Sequence, residues 1–117
     1  MVSVLLVLNV TRGLVLGDSI EVADTSSKRR TGLLKHSGLA KGQGLWIVPC
    51  EAVHTFAMKF TIDVVFLNKK RKVLKVKRDM VRRRLAICLL AHSVLELPAG
   101  TIAASGTVPG DQLELKR

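Results

Sequence analysis

A chain of 117 residues with a formal net charge of +10 is long enough for one domain with a real core and too short for two. Apolar residues make up 48% of it and aromatics only 3%, with no Tyr, so the core rests on Val, Leu and Ile, whose branched side chains favour strands. Nothing approaches the roughly twenty apolar residues of a membrane span, and there is no phosphate loop, complete metal motif or nucleophile elbow. The expectation is a reduced, cytoplasmic protein with no cofactor and no metal.

Residues 1–13 carry a short apolar run with neither a positive n-region nor a small-residue cleavage site, so they read as a first strand, 2–10, rather than a leader. A second strand, 13–23, returns through the turn at 9–13. In it Leu14, Leu16, Ile20 and Val22 share a parity around Gly17 and Asp18, as a half-buried strand requires. Asp24, Thr25, Ser26 and Ser27 offer N-cap oxygens for a helix running to about His36 and stopped near Gly38. Lys28, Arg29 and Arg30 fall in its first turn, where positive charge opposes the macrodipole. Packing or a ligand must favour them there.

Residues 41–44 are a loop, and 45–48 a short strand ended by Pro49. The stretch 53–67 reads as one long strand. Met58, Phe60, Ile62, Val64 and Phe66 share one face; Lys59, Thr61, Asp63, Val65 and Leu67 share the other. Apolar residues on both faces near its end predict cover on both sides. Residues 68–71 form a hairpin tip, and the return strand 72–78 turns Leu74 and Val76 inward and Lys75 and Lys77 outward. Residues 81–90 are either loop or helix, 93–97 a strand or a turn of helix, 99–106 a short helix and 112–115 a closing strand. The fold class is α+β: a single domain, 1–117, with a curved, mainly antiparallel, barrel-like sheet and one or two short helices.

Cys50, His54 and Met58 are spaced four apart, but along an extended strand such residues stand roughly 13 Å from each other, which excludes shared metal ligation. A hydrolase-like enzyme would use Cys50 as nucleophile or His54 as base, with Asp63 as orienting carboxylate. Asp63 and Glu96 each sit inside apolar runs, where an unpaired carboxylate is costly. Each is either a structural acceptor or a ligand contact. The leading expectation is a non-catalytic binding or accessory domain that holds an unknown small ligand near His54 and Asp63, with Arg30 and Glu96 close by. Cys50 and Cys88 have no framework spacing, so their pairing stays open.

Charge is concentrated in one block. Residues 69–84 hold ten Lys and Arg against Asp79 alone, while the rest of the chain has nine basic and eight acidic residues. Lys72, Lys75, Lys77, Arg82, Arg83 and Arg84 are therefore candidates for binding nucleic acid or another acidic partner. No aromatic interleaves with them, which removes base stacking of the single-strand kind. The alternative is a solvated edge hairpin whose lysines deter edge-to-edge pairing.

Taken in order, Asn9-Val10-Thr11, Arg30 to Leu34, His54-Thr55-Phe56 with Met58, Ile62 to Leu67, Val94 to Gly100 and Gly110-Asp111 resemble one widespread domain. It is the domain-of-unknown-function family numbered 192, also catalogued as uncharacterised protein family 0127 of bacteria and archaea. The resemblance covers nearly the whole chain. It implies a compact, strand-rich α+β domain, with Arg30, His54, Met58, Asp63 and Glu96 on the shared motif, and it brings no established activity or cofactor. The family pattern often has an aromatic where Ala57 stands, a Pro where Thr61 stands and an acidic or Gly-containing turn at 68–71. The basic block is thus this chain's own, and no polyanion role follows from the resemblance.

Overall fold

The computed structural model describes residues 4–117; the expected start of the first strand at residue 2 lies outside them. Its chain order is β1 (Val4–Asn9), β2 (Leu14–Ala23), α1 (Ser26–Thr31), β3 (Gln43–Ile47), β4 (Ala52–His54), β5 (Ile62–Leu67), β6 (Val73–Met80), β7 (Leu85–Ile87), β8 (Ser93–Pro98), α2 (Thr101–Ser105) and β9 (Leu113–Lys116). Seven strands form one sheet in the order β6-β5-β8-β3-β2-β1-β9, and β4 pairs with β7 in a separate ribbon. Every pairing is antiparallel except β2 with β3. The sheet curls into a half-barrel until its two edges touch. A bridge joins Lys72 to Gln112, and the Val73 N–H donates to the Asp111 carbonyl at 2.8 Å. The α+β class and the curved sheet are as expected from the sequence.

β5 and β8 form the spine. Ile62, Val64, Phe66 and Val94 join one apolar cluster; Val65, Leu67, Leu95 and Leu97 join the other, on the barrel's inner side. All six residues of β5 are buried, so the cover expected on both faces is present. Phe60 packs against the first cluster from a half-buried position. Two carboxylates lie among these side chains on opposite faces. Asp63 is paired in register with Leu97, and Glu96 with Val64, so Asp63 points with Val65 and Glu96 with Val94.

The long strand expected over 53–67 is two strands with a turn between them. The Thr55 hydroxyl donates to the Val81 carbonyl at 2.5 Å and accepts from the Arg84 N–H at 2.9 Å, and the Met58 N–H donates back to the Thr55 carbonyl. These bonds tie the chain to the loop before β7 and rotate it out of the extended path. The helix expected to reach His36 ends at Gly32, whose positive φ of +48° suits glycine and breaks the helical run. Residues 81–90 contain a strand, β7, rather than helix. In the return strand β6 a register shift falls between the pairs Phe66–Lys75 and Leu67–Val73. It puts Val73 and Val76, not Leu74, on the inner side with Val65 and Leu67. Among the described residues no helix is long and apolar enough to cross a membrane.

One close approach fixes β3 against β8. A Cβ added at Gly44 would lie 2.6 Å from the Glu96 carbonyl oxygen and 2.8 Å from Ile20 Cδ1. Gly44→Ala must therefore push backbone apart in the middle of the sheet, and we expect it to destabilise the fold by about 2–3 kcal/mol. Urea denaturation checks this: a midpoint equal to the wild type's would show that the strands separate at little cost.

Candidate functional site

α1, the cis Val48–Pro49 corner, β4 and the turn after it surround a cavity of about 260 Å³ over the outer face of β8. The residues that shape its chemistry are Arg29, Arg30, Cys50, His54, Met58 and Glu96, with Leu33, Ile47 and Val53 as apolar wall. Of the ligand contacts expected from sequence, Arg30, His54 and Glu96 line this space and Asp63 does not. Arg30 and His54 are exposed and form the rim; Glu96 is 4% exposed and lies at the bottom. Arg29 is oriented by donating to the Asp24 carbonyl at 3.2 Å and to Ser26 Oγ at 3.4 Å. In a helix of six residues its charge also falls in the last turn, so the conflict with the macrodipole disappears.

Glu96 is the unusual group. Burial pushes its carboxyl from an ordinary 4.5 up to about 7, and neither a hydrogen bond nor a neighbouring charge offsets that burial. Buried carboxylates normally acquire donors, because leaving one unpaired in an apolar site is costly. Here the carboxyl borders the cavity.

Asp63 has the opposite environment. It is fully buried, and each oxygen is occupied. One accepts the Asp79 N–H at 2.9 Å, the other the Ile102 N–H at 2.8 Å. The first bond pins the irregular pairing of β5 with β6, where Asp79 takes a φ of +54°; the second holds the start of α2. With both oxygens committed to backbone on the inner face, Asp63 does not orient His54. That ring instead stands 5.6 Å from the Phe56 ring, tilted by 33°.

Cys50 and His54 both line the cavity, on either side of the extended residues of β4. Met58 joins them there. The continuous strand that the spacing argument assumes ends at His54, and among the described residues no group of three His, Cys, Asp or Glu is placed to hold a metal ion. The Cys50 thiol donates to the Ala52 carbonyl at 3.1 Å, and burial, the largest influence, pushes its pKa up. This keeps it a thiol, whereas a nucleophile needs the thiolate. Cys50 and Cys88 are both free.

The basic candidates disperse along the hairpin and the loop after it. Lys72, Lys77, Arg82, Arg83 and Arg84 are exposed. Lys75 is not the solvated side chain that alternation suggested: it is half-buried, donates to the Ile87 carbonyl at 2.8 Å and lies 6.0 Å from the Phe66 ring centroid. Its register partner is Phe66, so its stem shares the face of the outer apolar cluster. Sequence reasoning passed over a different group, the buried network of Asn9, Thr107 and Asp111. The Asn9 amide donates to Thr107 Oγ1 and to Asp111 at 3.0–3.1 Å, and Arg12 Nε reaches Asp111 at 2.6 Å. The Arg12 guanidinium, more than any other partner, holds the Asp111 carboxyl below its ordinary range. This network fastens β1 to the turn before β9.

The family model DUF192, described as "Uncharacterized ACR", matches residues 8–115. The chain belongs to the DUF192 family. Similar DUF192 relatives include a UPF0127 protein of Pyrococcus furiosus, 32% identical over 120 residues, with 94% of this chain and 97% of the relative covered. A UPF0127 protein of Thermococcus sibiricus is 30% identical over 114 residues, covering 93% and 73%. Two solved structures share the fold. One, from Sinorhizobium meliloti and described as a candidate transcription regulator, aligns with a TM-score of 0.82 at 22% identity, over 95% of this chain and 91% of that one. The other, a protein of unknown function from Novosphingobium aromaticivorans, gives 0.82 at 23%, over 97% and 84%. At these identities the likeness to the two structures speaks for the fold alone.

Proposed function

We propose that this DUF192 domain is a non-catalytic binding domain. Its ligand is a small molecule that presents an ammonium or other cationic N–H donor to Glu96 and an anionic group to Arg30 and His54. The observation that carries the reading is the buried Glu96 carboxyl, which no donor among the described residues satisfies and which borders a cavity large enough for a compact metabolite. A cationic donor at that point would supply the missing hydrogen bond and favour the charged form. The rim residues then separate zwitterions from simple amines, and the apolar wall accepts a short carbon chain between the two charges.

Thermal shift across a panel of amines, amino acids and amino-phosphates tests this reading. A ligand at a hundred times its Kd stabilises by about 2.7 kcal/mol, a shift of roughly 10 °C for a domain of this size. We expect such shifts only from members carrying both charges, and none in Glu96→Gln. A panel that leaves the wild type unmoved, or a shift retained in Glu96→Gln, would overturn the assignment.

A further inference from the structure

The segment from Val81 to Leu90 puts side chains in water that a small soluble domain ordinarily hides. Val81, Leu85, Ile87, Leu89 and Leu90 are all exposed, the last two at 75% and 85%, and Phe56 is 59% exposed. They form a neighbourhood rather than a scatter. Leu85 is paired in register with His54, whose ring contacts Phe56. Ala86 is buried in the outer cluster, so Leu85 and Ile87, on the other parity, point away from the protein. Leu90 lines a broad depression together with Lys69, Lys70 and a single acidic residue, Glu51. Exposed apolar side chains gathered on one short segment in this way mark an interaction surface.

What covers it is indicated by charge. Arg82, Arg83 and Arg84 are exposed and lead directly into β7, Lys75 donates to the Ile87 carbonyl, and Lys69 and Lys70 share the depression with Leu90. Cations thus border the apolar side chains along the β7 segment. That pattern suits a lipid bilayer, where apolar side chains enter the acyl boundary while arginines and lysines meet anionic headgroups. It suits nucleic acid less well, since leucine and isoleucine provide no stacking surface. It also suits a second copy of this chain poorly, since the +10 charge would place like charges against each other. We infer that the face built on β7 and its flanking loops docks on an anionic lipid surface, peripherally and without spanning it.

Co-sedimentation of the full chain with vesicles tests the inference. At about 0.1 M salt the chain is expected to pellet with phosphatidylcholine vesicles enriched in phosphatidylglycerol and to stay in solution with phosphatidylcholine alone. Replacing Arg82, Arg83 and Arg84 with Gln should weaken partitioning about a hundredfold, at roughly fivefold per cation near the surface. Leu89→Ser with Leu90→Ser leaves every charge in place, alters two side chains that the core does not use, and is expected to weaken it at least tenfold. Failure to pellet with the anionic vesicles overturns the inference. So does partitioning indifferent to the leucine pair, or tighter binding to duplex DNA at matched phosphate concentration. A concentration-dependent dimer abolished by the leucine pair would also overturn it, by assigning the face to self-association.

Discussion

Asp63→Ala is expected to lower the melting temperature by about 12 °C. The substitution strands two backbone donors, the N–H of Ile102 in the core and the N–H of Asp79 at a part-buried position. A buried, unsatisfied donor such as the Ile102 N–H costs about 1–3 kcal/mol and a lost part-buried bond such as that of Asp79 about 1 kcal/mol, so the sum is roughly 2–4 kcal/mol, near 4 °C per kcal/mol for a domain of this size. Asp63→Asn keeps an acceptor for one of the two donors and presents an N–H group to the other, so an intermediate loss is expected. Calorimetry on the three proteins checks the order. The same variants separate structure from recognition: Asp63→Ala protein, cooled until folded, should bind ligand as the wild type does, because Asp63 is turned to the inner face. Lost binding at unchanged stability would mean that Asp63 contacts the ligand directly.

Glu96→Gln is expected to change stability in a pH-dependent way, and in the stabilising direction above neutrality. In the folded protein burial raises the Glu96 pKa from 4.5 to about 7, so between these values the folded state holds a proton that the unfolded chain has released. The contribution of Glu96 to stability is therefore complete below about pH 4.5, declines as pH rises through the window, and is gone above about 7. The whole decline amounts to about 3 kcal/mol. Gln does not titrate. Relative to wild type, Glu96→Gln should gain about 3 kcal/mol between pH 4.5 and pH 8, measured by urea denaturation at a series of pH values. Parallel curves for the two proteins would show that Glu96 titrates alike in the folded and unfolded chains. A function that keeps a destabilising carboxylate in place explains why the more stable residue is not there.

Much of the fold was legible from alternation. β5 is buried on both faces because Val64-Val65 and Phe66-Leu67 leave no polar side, and the hairpin into β6 and the short α2 follow from local turn and helix signals. The break at Thr55 was not legible. The alternation of 53–67 continues through it by accident of composition, and the cause is a side-chain bond to a loop some thirty residues away. That turn shapes the site, since it carries Met58 back to the cavity that Cys50 and His54 also line. Arg30, His54 and Glu96 line one cavity; of the three only Glu96 is buried, so the need of a polar residue amid apolar ones for a partner applies to Glu96 alone. For Asp63 the same need leaves a structural acceptor and a ligand contact as alternatives; its two bonds to backbone N–H groups make it the acceptor, and only the register of β5 with β8 reveals that Asp63 and Glu96 face opposite ways. The Asn9–Thr107–Asp111 network lies in turns and strand ends at opposite ends of the chain, with no local pattern to betray it. Lys75 was misjudged because alternation predicts which way a stem points, not that its ammonium will find a carbonyl on the neighbouring ribbon.

The account rests on Glu96 being a buried carboxyl that awaits a cationic donor, and the titration of its carboxyl carbon by NMR tests that most directly. In the ligand-free protein the midpoint is expected at about 7, and saturation with a stabilising amino-anionic ligand should move it down by at least a unit, toward or below the ordinary value. A ligand-free midpoint near 4.5, unchanged by any ligand that stabilises the fold, would contradict the account.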